Sequence, residues 1–281
     1  MIARAPAKIN LAINVLNKRP DGYHDIDIIS LPLMLHDSIE ITEYPARCGT
    51  FVTSDDTSLL CDESNLVYIA YREMKKEFNF KCSFRIHIYK RIPLESGLAG
   101  GSADAAAVIR GLVKLKKLKV SQDQLVEIAK RIGSDVPYCL FNRPSRITGV
   151  GEKIREISVK KKYHVLLVKP LQGLSTRAVY EMSDQLGNVT HDISLLEKAL
   201  KEGNNSDIKK YMANGLQPAA IKLLPEIQEI IDRLKSKQLD LVMMSGAGST
   251  VFALSENYRQ LEKIAKEFDE EYDVFITTTL Q

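Results

Sequence analysis

The stretch PLESGLAGGSADAAA, residues 93–107, joins a glycine-rich loop directly to an alanine-rich segment. Glycine permits positive φ and lets a ligand approach the backbone closely. Alanine is the strongest helix former, so a helix can begin immediately after the loop. Free backbone N–H groups at a helix start, together with the helix dipole, bind phosphate. The stretch therefore predicts a loop that wraps a phosphate chain, and a plain flexible turn is the alternative.

Two common phosphate-binding patterns are absent from this stretch. No lysine follows Gly101, so the pattern GxxxxGK[ST] is not met, and GxGxxG does not occur either. Those patterns mark the standard P-loop and the Rossmann turn. A phosphate loop here would belong to a third kind of nucleotide site.

The segments before the loop show strand patterns. Apolar runs or alternating apolar residues predict strands over residues 9–16, 38–44 and 84–90. In the last of these, Phe84 and Ile86 are expected on one face, opposite the polar residues.

Helix patterns lie between and after these strands. One helix is predicted from Asn65 onward, and a second over residues 103–118, directly after the glycine loop. A third begins at Ser121, which forms a capping box with Gln124, and it ends at Gly133.

The pattern changes after about residue 155. Buried strands, a strand–turn–strand unit and helices follow, at residues 164–170, 239–254 and 272–280 for the strands and 175–186, 192–203 and 226–237 for the helices. Strands and helices mixed without strict βαβ alternation favour the α+β class. The sequence predicts two domains, residues 1–155 and 156–281.

Composition restricts the class of protein. The 281 residues are 44% hydrophobic and 27% charged, which is ordinary for a globular chain. A net charge of +3 is too small to indicate a nucleic-acid partner. The short basic clusters at 114–119 and 159–164 are interpreted as solvated faces, because nucleic-acid sites need a broad basic surface.

Targeting and redox signals point to the cytoplasm. Lys8 and Asn10 interrupt the apolar N-terminal stretch, so it does not resemble a signal peptide. No uncharged run reaches the ~20 residues of a membrane span. The four cysteines, at positions 48, 61, 82 and 139, form no CxxC pair and are expected to be reduced thiols.

The loop resembles the nucleotide loop of the GHMP kinases, the superfamily of galactokinase, homoserine kinase and mevalonate kinase. The residues that match are Pro93, Gly97, Leu98, Gly100, Gly101, Ser102 and Ala103. APAKINL at 5–11, DGYH at 21–24, GSDVPYCL at 133–140 and SGAGSTVFAL at 245–254 resemble one branch of that superfamily, in the same order. Members of this branch use ATP to phosphorylate the 2-hydroxyl of a cytidine diphosphate ester of methylerythritol, in the non-mevalonate isoprenoid pathway.

The resemblance implies a two-domain α+β fold, with a mixed α/β N-terminal domain and a ferredoxin-like C-terminal domain. It implies ATP and Mg²⁺ as cofactors, with the hydroxyl of Ser102 near the metal ion. The residues that it places near ATP are Asn65, Lys90, Pro93, Leu94, Glu95, Ser96, Gly97, Leu98, Ala99, Gly100, Gly101, Ser102 and Ala103. Lys90 could equally be an exposed strand end.

The loop departs from the branch at Glu95, Ser96 and Ala99. Small residues, often glycine or alanine, are usual at the first two positions, and glycine is common at the third. A carboxylate beside an ATP phosphate would repel it. Glu95 is therefore expected to face solvent or to hold a metal ion.

The catalytic residues implied by the resemblance are Lys8 and Asp135. Asp135 would take the proton from the acceptor alcohol, and Lys8 would stabilise the developing negative charge. From the residues alone, Asp135 could equally be a solvated loop residue or the cap of the next helix. Lys8 could be a snorkelling surface lysine, although a cation in an apolar strand start is costly unless it is paired.

The resemblance also implies a cytidine pocket. Tyr23 would stack on the base, His24 would hydrogen-bond its edge, and Tyr180 would be the second stacking aromatic. The full set of substrate residues is Asn10, Tyr23, His24, Thr176, Tyr180, Gly246 and Gly248. The alternative for Tyr23 and His24 is a structural role, with Tyr23 in the core and His24 on the surface. The alternative for SGAGST is a tight turn between two strands.

The sequence leaves three functions open. The chain is expected to be a cytoplasmic kinase for a small cytidine diphosphate substrate, a monomer or weak homodimer without a nucleic-acid or membrane partner. Another GHMP kinase, acting on homoserine, mevalonate or a sugar, is the nearest alternative, and a non-catalytic binding protein with the same fold is the second.

Overall fold

The computed structural model describes residues 1–45, 49–187, 189–268 and 271–281. These residues form two compact units that are interleaved along the chain. Unit 1 comprises residues 1–7, 35–94 and 99–142, and unit 2 comprises residues 8–34, 95–98 and 143–281. The predicted domains, 1–155 and 156–281, stay a prediction.

Strands β1 (Ile2–Lys18) and β2 (His24–Tyr44) each contribute to both units. In unit 1, β3 (Phe51–Ser54) pairs in parallel with β4 (Ser83–Tyr89), and β4 pairs antiparallel with residues 38–44 of β2. The face of β4 with Phe84, Ile86 and Ile88 is fully buried, as its alternation predicts.

The described helices of unit 1 include two that begin at the predicted capping residues, Asn65 and Ser121, and two that have no side-chain cap. They are α1 (Leu66–Phe78), α2 (Gly100–Leu115), α3 (Gln122–Lys130) and α4 (Val136–Phe141). Asn65 caps α1 by accepting a hydrogen bond from the Val67 N–H, and Ser121 caps α3 by accepting one from the Gln124 N–H. The side-chain amide nitrogen of Gln124 donates a hydrogen bond to Glu77.

The second sheet, in unit 2, has ferredoxin-like topology. It contains four of the strands that follow α4 along the chain. The described elements after α4 are β5 (Ser145–Gly149), β6 (Lys153–Glu156), β7 (His164–Pro170), α5 (Thr176–Leu186), α6 (Ile193–Glu202), α7 (Asn205–Tyr211), β8 (Ala213–Asn214), α8 (Gln217–Leu223), α9 (Glu226–Ser236), β9 (Leu241–Met244), β10 (Val251–Ser255), α10 (Tyr258–Ala265) and β11 (Tyr272–Thr278). The strand order is β11-β7-β10-β9, with each neighbouring pair antiparallel. This arrangement confirms the expected α+β class.

Short pairings complete unit 2. Residues 26–30 of β2 pair with β5, which pairs with β6, and Ala12 and Ile13 of β1 pair in parallel with β8. Among the described residues, no helix is both long and apolar enough to cross a bilayer. Cys61, Cys82 and Cys139 form no disulfide bond with one another, and Cys48 lies outside the described residues.

Candidate functional site

The start of α2 has the properties of an anion site. Ala99 occupies the N-cap with φ of +60°, and no acidic residue lies in the first turn. Because the first N–H groups of a helix have no partner within it, they remain available to a ligand. The helix is 16 residues long, so its dipole reinforces binding of an anion at this end. Ser102, the predicted metal ligand, lies in this turn and is half-buried.

A buried cluster of charges lies next to this helix start. The Lys90 Nζ donates to Asp37 Oδ2 at 2.6 Å and to Asp104 Oδ2 at 3.0 Å. Asp37 also accepts hydrogen bonds from the backbone N–H groups of Arg91 and Ile92. Asp104 Oδ1, in contrast, is buried and has no hydrogen-bond partner among the described residues. The alternative that Lys90 is an exposed strand end is wrong, since it is 7% exposed.

The cluster contains two carboxyl groups, of Asp37 and Asp104, and one amine, of Lys90. Burial favours the protonated form of Asp104. Burial raises the pKa of Asp104 to about 8, against the opposing effect of the nearby Lys90 charge. Burial alone would lower the pKa of Lys90, but the neighbouring carboxyl groups of Asp104 and Asp37 raise it. A protonated Asp104 beside a charged Lys90 keeps the start of α2 free of net negative charge, which suits an anion site.

We expect Asp104→Asn to flatten the decline of stability with rising pH. The folded state holds a proton on Asp104 up to about pH 8, whereas the unfolded chain releases it near the ordinary pKa of 3.8. This linkage stabilises the fold most in acid and is lost as the pH rises to about 8. Asparagine has the same shape and cannot ionise. Urea unfolding of both proteins across this range would measure the two slopes, and equal slopes would show that Asp104 is already ionised.

The loop segment 95–98, in unit 2, packs closely against the turn between β9 and β10. Gly97 has φ of +72°, and a Cβ placed on it would lie 2.2 Å from the carbonyl oxygen of Ser245. A Cβ on Gly246 would lie 2.6 Å from the carbonyl oxygen of Gly97. The Ser245 hydroxyl donates to that same Gly97 oxygen at 3.1 Å, and the Thr250 N–H donates to the Ser96 carbonyl. SGAGST is therefore both a turn and a support for the loop.

Glu95, the departure noted in the loop, is exposed. Its backbone has φ of +49°, a conformation that non-glycine residues rarely adopt. Its side chain lies over the backbone of Gly173, where a Cβ would come within 2.5 Å of both Cβ and Oε2 of Glu95. Gly173 therefore leaves the space that this larger loop residue occupies.

Lys8 is a buried cation held by neutral groups. It is 5% exposed, and its Nζ donates to Asn10 Oδ1 at 2.6 Å and to the Gly97 carbonyl at 3.1 Å. Its backbone N–H donates to the Leu98 carbonyl, so strand β1 holds the loop at two consecutive residues. Among the described residues Lys8 forms no ion pair. The alternative of a snorkelling surface lysine is wrong.

An ammonium group has three N–H donors, and the two acceptors at Lys8 Nζ leave one of them for a further partner. Asn10 is itself oriented, because its Nδ2 donates to the Ser30 hydroxyl at 2.8 Å. A buried charge without a counterion is costly, so the site is suited to an anionic group on a bound ligand.

Asp135 stands at the N-cap position of α4, in unit 1, and is exposed. Its side chain makes no capping hydrogen bond. The alternative that it serves as a helix cap is therefore not borne out. Its exposure fits the other alternative, a solvated loop residue, and also leaves its carboxylate able to accept a proton. Asp135 also affects the pKa of a nearby group. Burial raises the pKa of the Tyr138 hydroxyl, and the charges of Cys139 and Asp135 raise it further.

The residues of the predicted cytidine pocket in unit 2 do not follow the structural interpretation. Tyr23 is 59% exposed, whereas His24 is buried, so the positions of the two are the reverse of a core tyrosine beside a surface histidine. The ring of His24 lies 5.3 Å from that of Tyr180, with an angle of 36° between the planes. His24 Nε2 is 2.7 Å from Oδ1 of Asp184, a residue that the sequence analysis did not select.

Other predicted residues have local roles. The Asn65 amide oxygen caps α1 by accepting from the Val67 N–H, and its amide nitrogen donates to the Leu60 carbonyl. Ala103 is buried inside α2, and Thr176 is exposed at the start of α5. Pro93 and Leu94 are half-buried in the loop before Glu95.

The comparisons with known proteins agree on one family. The models of the GHMP kinases N terminal domain and the GHMP kinases C terminal domain match residues 65–143 and 191–274. The chain is 40% identical to the 4-diphosphocytidyl-2-C-methyl-D-erythritol kinase of Bacillus velezensis, over 94% of this chain and 91% of that protein. It is 38% identical to the enzyme of the same name from Caldicellulosiruptor saccharolyticus, over 100% and 97% of the two chains.

Solved structures match the fold over the whole length. A crystal structure of 4-(cytidine 5'-diphospho)-2C-methyl-D-erythritol kinase has a TM-score of 0.83 and 27% identity, and the match covers 100% of both chains. A homoserine kinase from Cytophaga hutchinsonii has a TM-score of 0.77 at 18% identity, over 99% of this chain and 94% of that one. At that identity the second likeness concerns the fold alone.

Proposed function

The chain belongs to the GHMP kinases, in the family of 4-diphosphocytidyl-2-C-methyl-D-erythritol kinases, and we propose how its own residues carry out the transfer of phosphate from ATP. The acceptor is the 2-hydroxyl of the methylerythritol part of the cytidine diphosphate ester. The hydroxyl oxygen forms a bond to the γ-phosphorus of ATP, the bond from that phosphorus to the bridging oxygen breaks, and ADP leaves.

Lys8 supports the proposed mechanism most directly. Its buried ammonium has two neutral acceptors and one remaining donor, which fits a group that stabilises negative charge during transfer. Asp135 is assigned as the base that takes the proton of the acceptor hydroxyl, because its carboxylate is exposed and is not used as a cap. Asn10, oriented by Ser30, is assigned to the hydroxyl groups of the substrate.

ATP is assigned to the start of α2 and the loop before it. The N–H groups of Gly100, Gly101 and Ser102 would hold phosphate oxygens. The Ser102 hydroxyl is a hard oxygen donor that suits Mg²⁺, an ion that is usually held by few protein ligands together with substrate phosphates and water. Consistent with this, the described residues contain no cluster of three acidic, histidine or cysteine side chains that could hold a metal ion alone. When bound, Mg²⁺ would neutralise charge on the phosphates.

The nucleobase is assigned to Tyr23, His24 and Tyr180, with Thr176 nearby on α5. An exposed tyrosine ring offers a face for stacking, and His24 offers a ring nitrogen for the edge of the base. The cytoplasmic location, the two domains at 1–155 and 156–281, and a monomer or weak homodimer remain parts of this proposal.

We expect Tyr23→Ala to weaken binding of the cytidine substrate by ~1–3 kcal/mol, which is the value of one base–aromatic stacking contact. Binding of ATP should change little. Calorimetric titration with each ligand separately would measure both effects. The matched control is Tyr23→Phe, which keeps the ring, and equal losses for the two ligands in Tyr23→Ala would mean that Tyr23 has a structural role.

The proposed substrate can be tested against its alternatives by ADP release. The protein would be assayed with ATP and with the cytidine ester, mevalonate, homoserine or a sugar as the acceptor, at matched concentrations. The proposal predicts the highest kcat/KM for the cytidine ester. A faster reaction with another acceptor would assign the chain to that chemistry, and no reaction with any acceptor would favour the non-catalytic alternative.

A further inference from the structure

We infer that Asp184 is a positioning residue that sets base selectivity, because it holds His24 so that the ring accepts a hydrogen bond from the amino group of cytosine. This inference rests on the proposed function, in which His24 binds the edge of the base. All the residues that carry it lie in unit 2.

The contact between the two side chains is short and well enclosed. His24 Nε2 is 2.7 Å from Asp184 Oδ1, and the side chains are 6% and 25% exposed. The other carboxylate oxygen, Oδ2, accepts a hydrogen bond from Lys18 Nζ at 2.6 Å. Each oxygen of Asp184 therefore has its own partner, and the more exposed Lys18 lies on the outer side.

The charge on Asp184 decides which nitrogen of His24 carries the hydrogen. The hydrogen bond from Lys18, supported by the one from His24, holds the pKa of Asp184 below its usual range despite partial burial. An ionised carboxylate only accepts hydrogen bonds, so His24 Nε2 must donate. In a neutral imidazole with a hydrogen on Nε2, the second nitrogen, Nδ1, is an acceptor.

An acceptor at this position distinguishes cytosine from uracil. Cytosine carries an amino group at its 4-position, which donates hydrogen bonds, whereas the corresponding group of uracil is a carbonyl oxygen, which accepts them. Nδ1 of His24 can pair with the amino group, but it would face the uracil oxygen lone pair to lone pair. A rotated ring or the other tautomer would lose this difference.

Helix α5 holds the ring in two ways. Tyr180 and Asp184 are four residues apart, so they share one face of the helix. Tyr180 contacts the ring of His24 at a centroid distance of 5.3 Å, while Asp184 binds its Nε2. The ring plane and the hydrogen position are thus both set by the same helix, whose N-cap is Ser175.

The test compares kcat/KM for the cytidine ester with that for the corresponding uridine ester, at saturating ATP. We expect Asp184→Ala to reduce the ratio of cytidine to uridine roughly 10–100-fold, as for loss of one hydrogen bond to a charged group. The change should lie in KM for the cytidine ester, with KM for ATP unchanged. Asp184→Asn should keep more of the ratio, because its amide oxygen can still accept from Nε2. Should Asp184→Ala fold poorly, Asp184→Leu keeps the shape without an acceptor.

Two matched controls separate this role from general support of the helix. Lys18→Ala removes the outer ion pair but leaves the bond from His24. Because an aspartate with an ordinary pKa is still ionised at neutral pH, the ratio should stay near that of the parent. Glu181→Ala removes an exposed acid of α5 that pairs with Arg177, and it should change nothing. An unchanged ratio in Asp184→Ala, or an equal fall in Lys18→Ala, would overturn the inference.

Failure of the proposed function would give a different experimental result from failure of this inference. If the parent protein transferred no phosphate to the cytidine ester, the proposed function would be wrong. Titration calorimetry with CDP and UDP would then decide the inference by itself. Stronger binding of CDP that is lost in Asp184→Ala supports it, and equal binding of the two nucleotides by the parent contradicts it.

Discussion

Replacing Asp135 by asparagine is expected to lower kcat roughly 10²–10⁴-fold, the usual contribution of a general base. Asparagine keeps the shape of the side chain but accepts no proton at neutral pH. Because Asp135 makes no capping hydrogen bond, the change removes no contact that α4 needs, and the fold should survive. The KM values for ATP and for the cytidine substrate should change little.

Steady-state kinetics and a thermal melt together would check this expectation. Asp123→Asn is a suitable control, since Asp123 is an exposed acid in the first turn of α3. A turnover number of Asp135→Asn within a few-fold of the parent would remove this carboxylate from the mechanism.

The second large effect is expected at Lys8. Lys8→Met keeps most of the volume of the buried side chain while it removes the ammonium group and its bonds to Asn10 and Gly97. Loss of one group that stabilises developing charge typically reduces kcat ~10²–10³-fold. We expect a loss of that size, measured in the same assay, and KM for the cytidine substrate should change little.

The double variant tests whether Lys8 and Asp135 serve the same step. Residues that act as a unit are strongly non-additive, so Lys8→Met with Asp135→Asn should be little slower than the slower single variant. Losses that multiply would show that the two residues act independently. Lys222→Met, at an exposed lysine of α8, controls for the general effect of removing a cation.

Much of the fold could be predicted because its signals are local. The helix starts at Asn65 and Ser121 depend on side chains that cap within three residues, and the buried face of β4 follows from simple alternation. Strand β8 could not be predicted, since its two residues pair with β1, which is distant in sequence. The short helices α7 and α8 likewise have too few turns to show a clear apolar period.

The candidate site was predictable only in part, for the same reason. The loop at 93–103 and Lys8 carry recognisable motifs, but the burial of Lys90 depends on Asp37, which is 53 residues away. Asp184 was missed because its contact with His24 spans 160 residues. The one available signal was its position four residues after Tyr180 on the same helix.

The most direct test of the account is to identify the product of the reaction. The parent protein would be incubated with ATP, Mg²⁺ and 4-diphosphocytidyl-2-C-methyl-D-erythritol, and the product examined by phosphorus NMR and mass spectrometry. The account predicts ADP and a cytidine diphosphate ester with one new phosphate monoester, on the 2-hydroxyl of methylerythritol. A phosphate on another hydroxyl, or ADP and free phosphate with the ester unchanged, would contradict it.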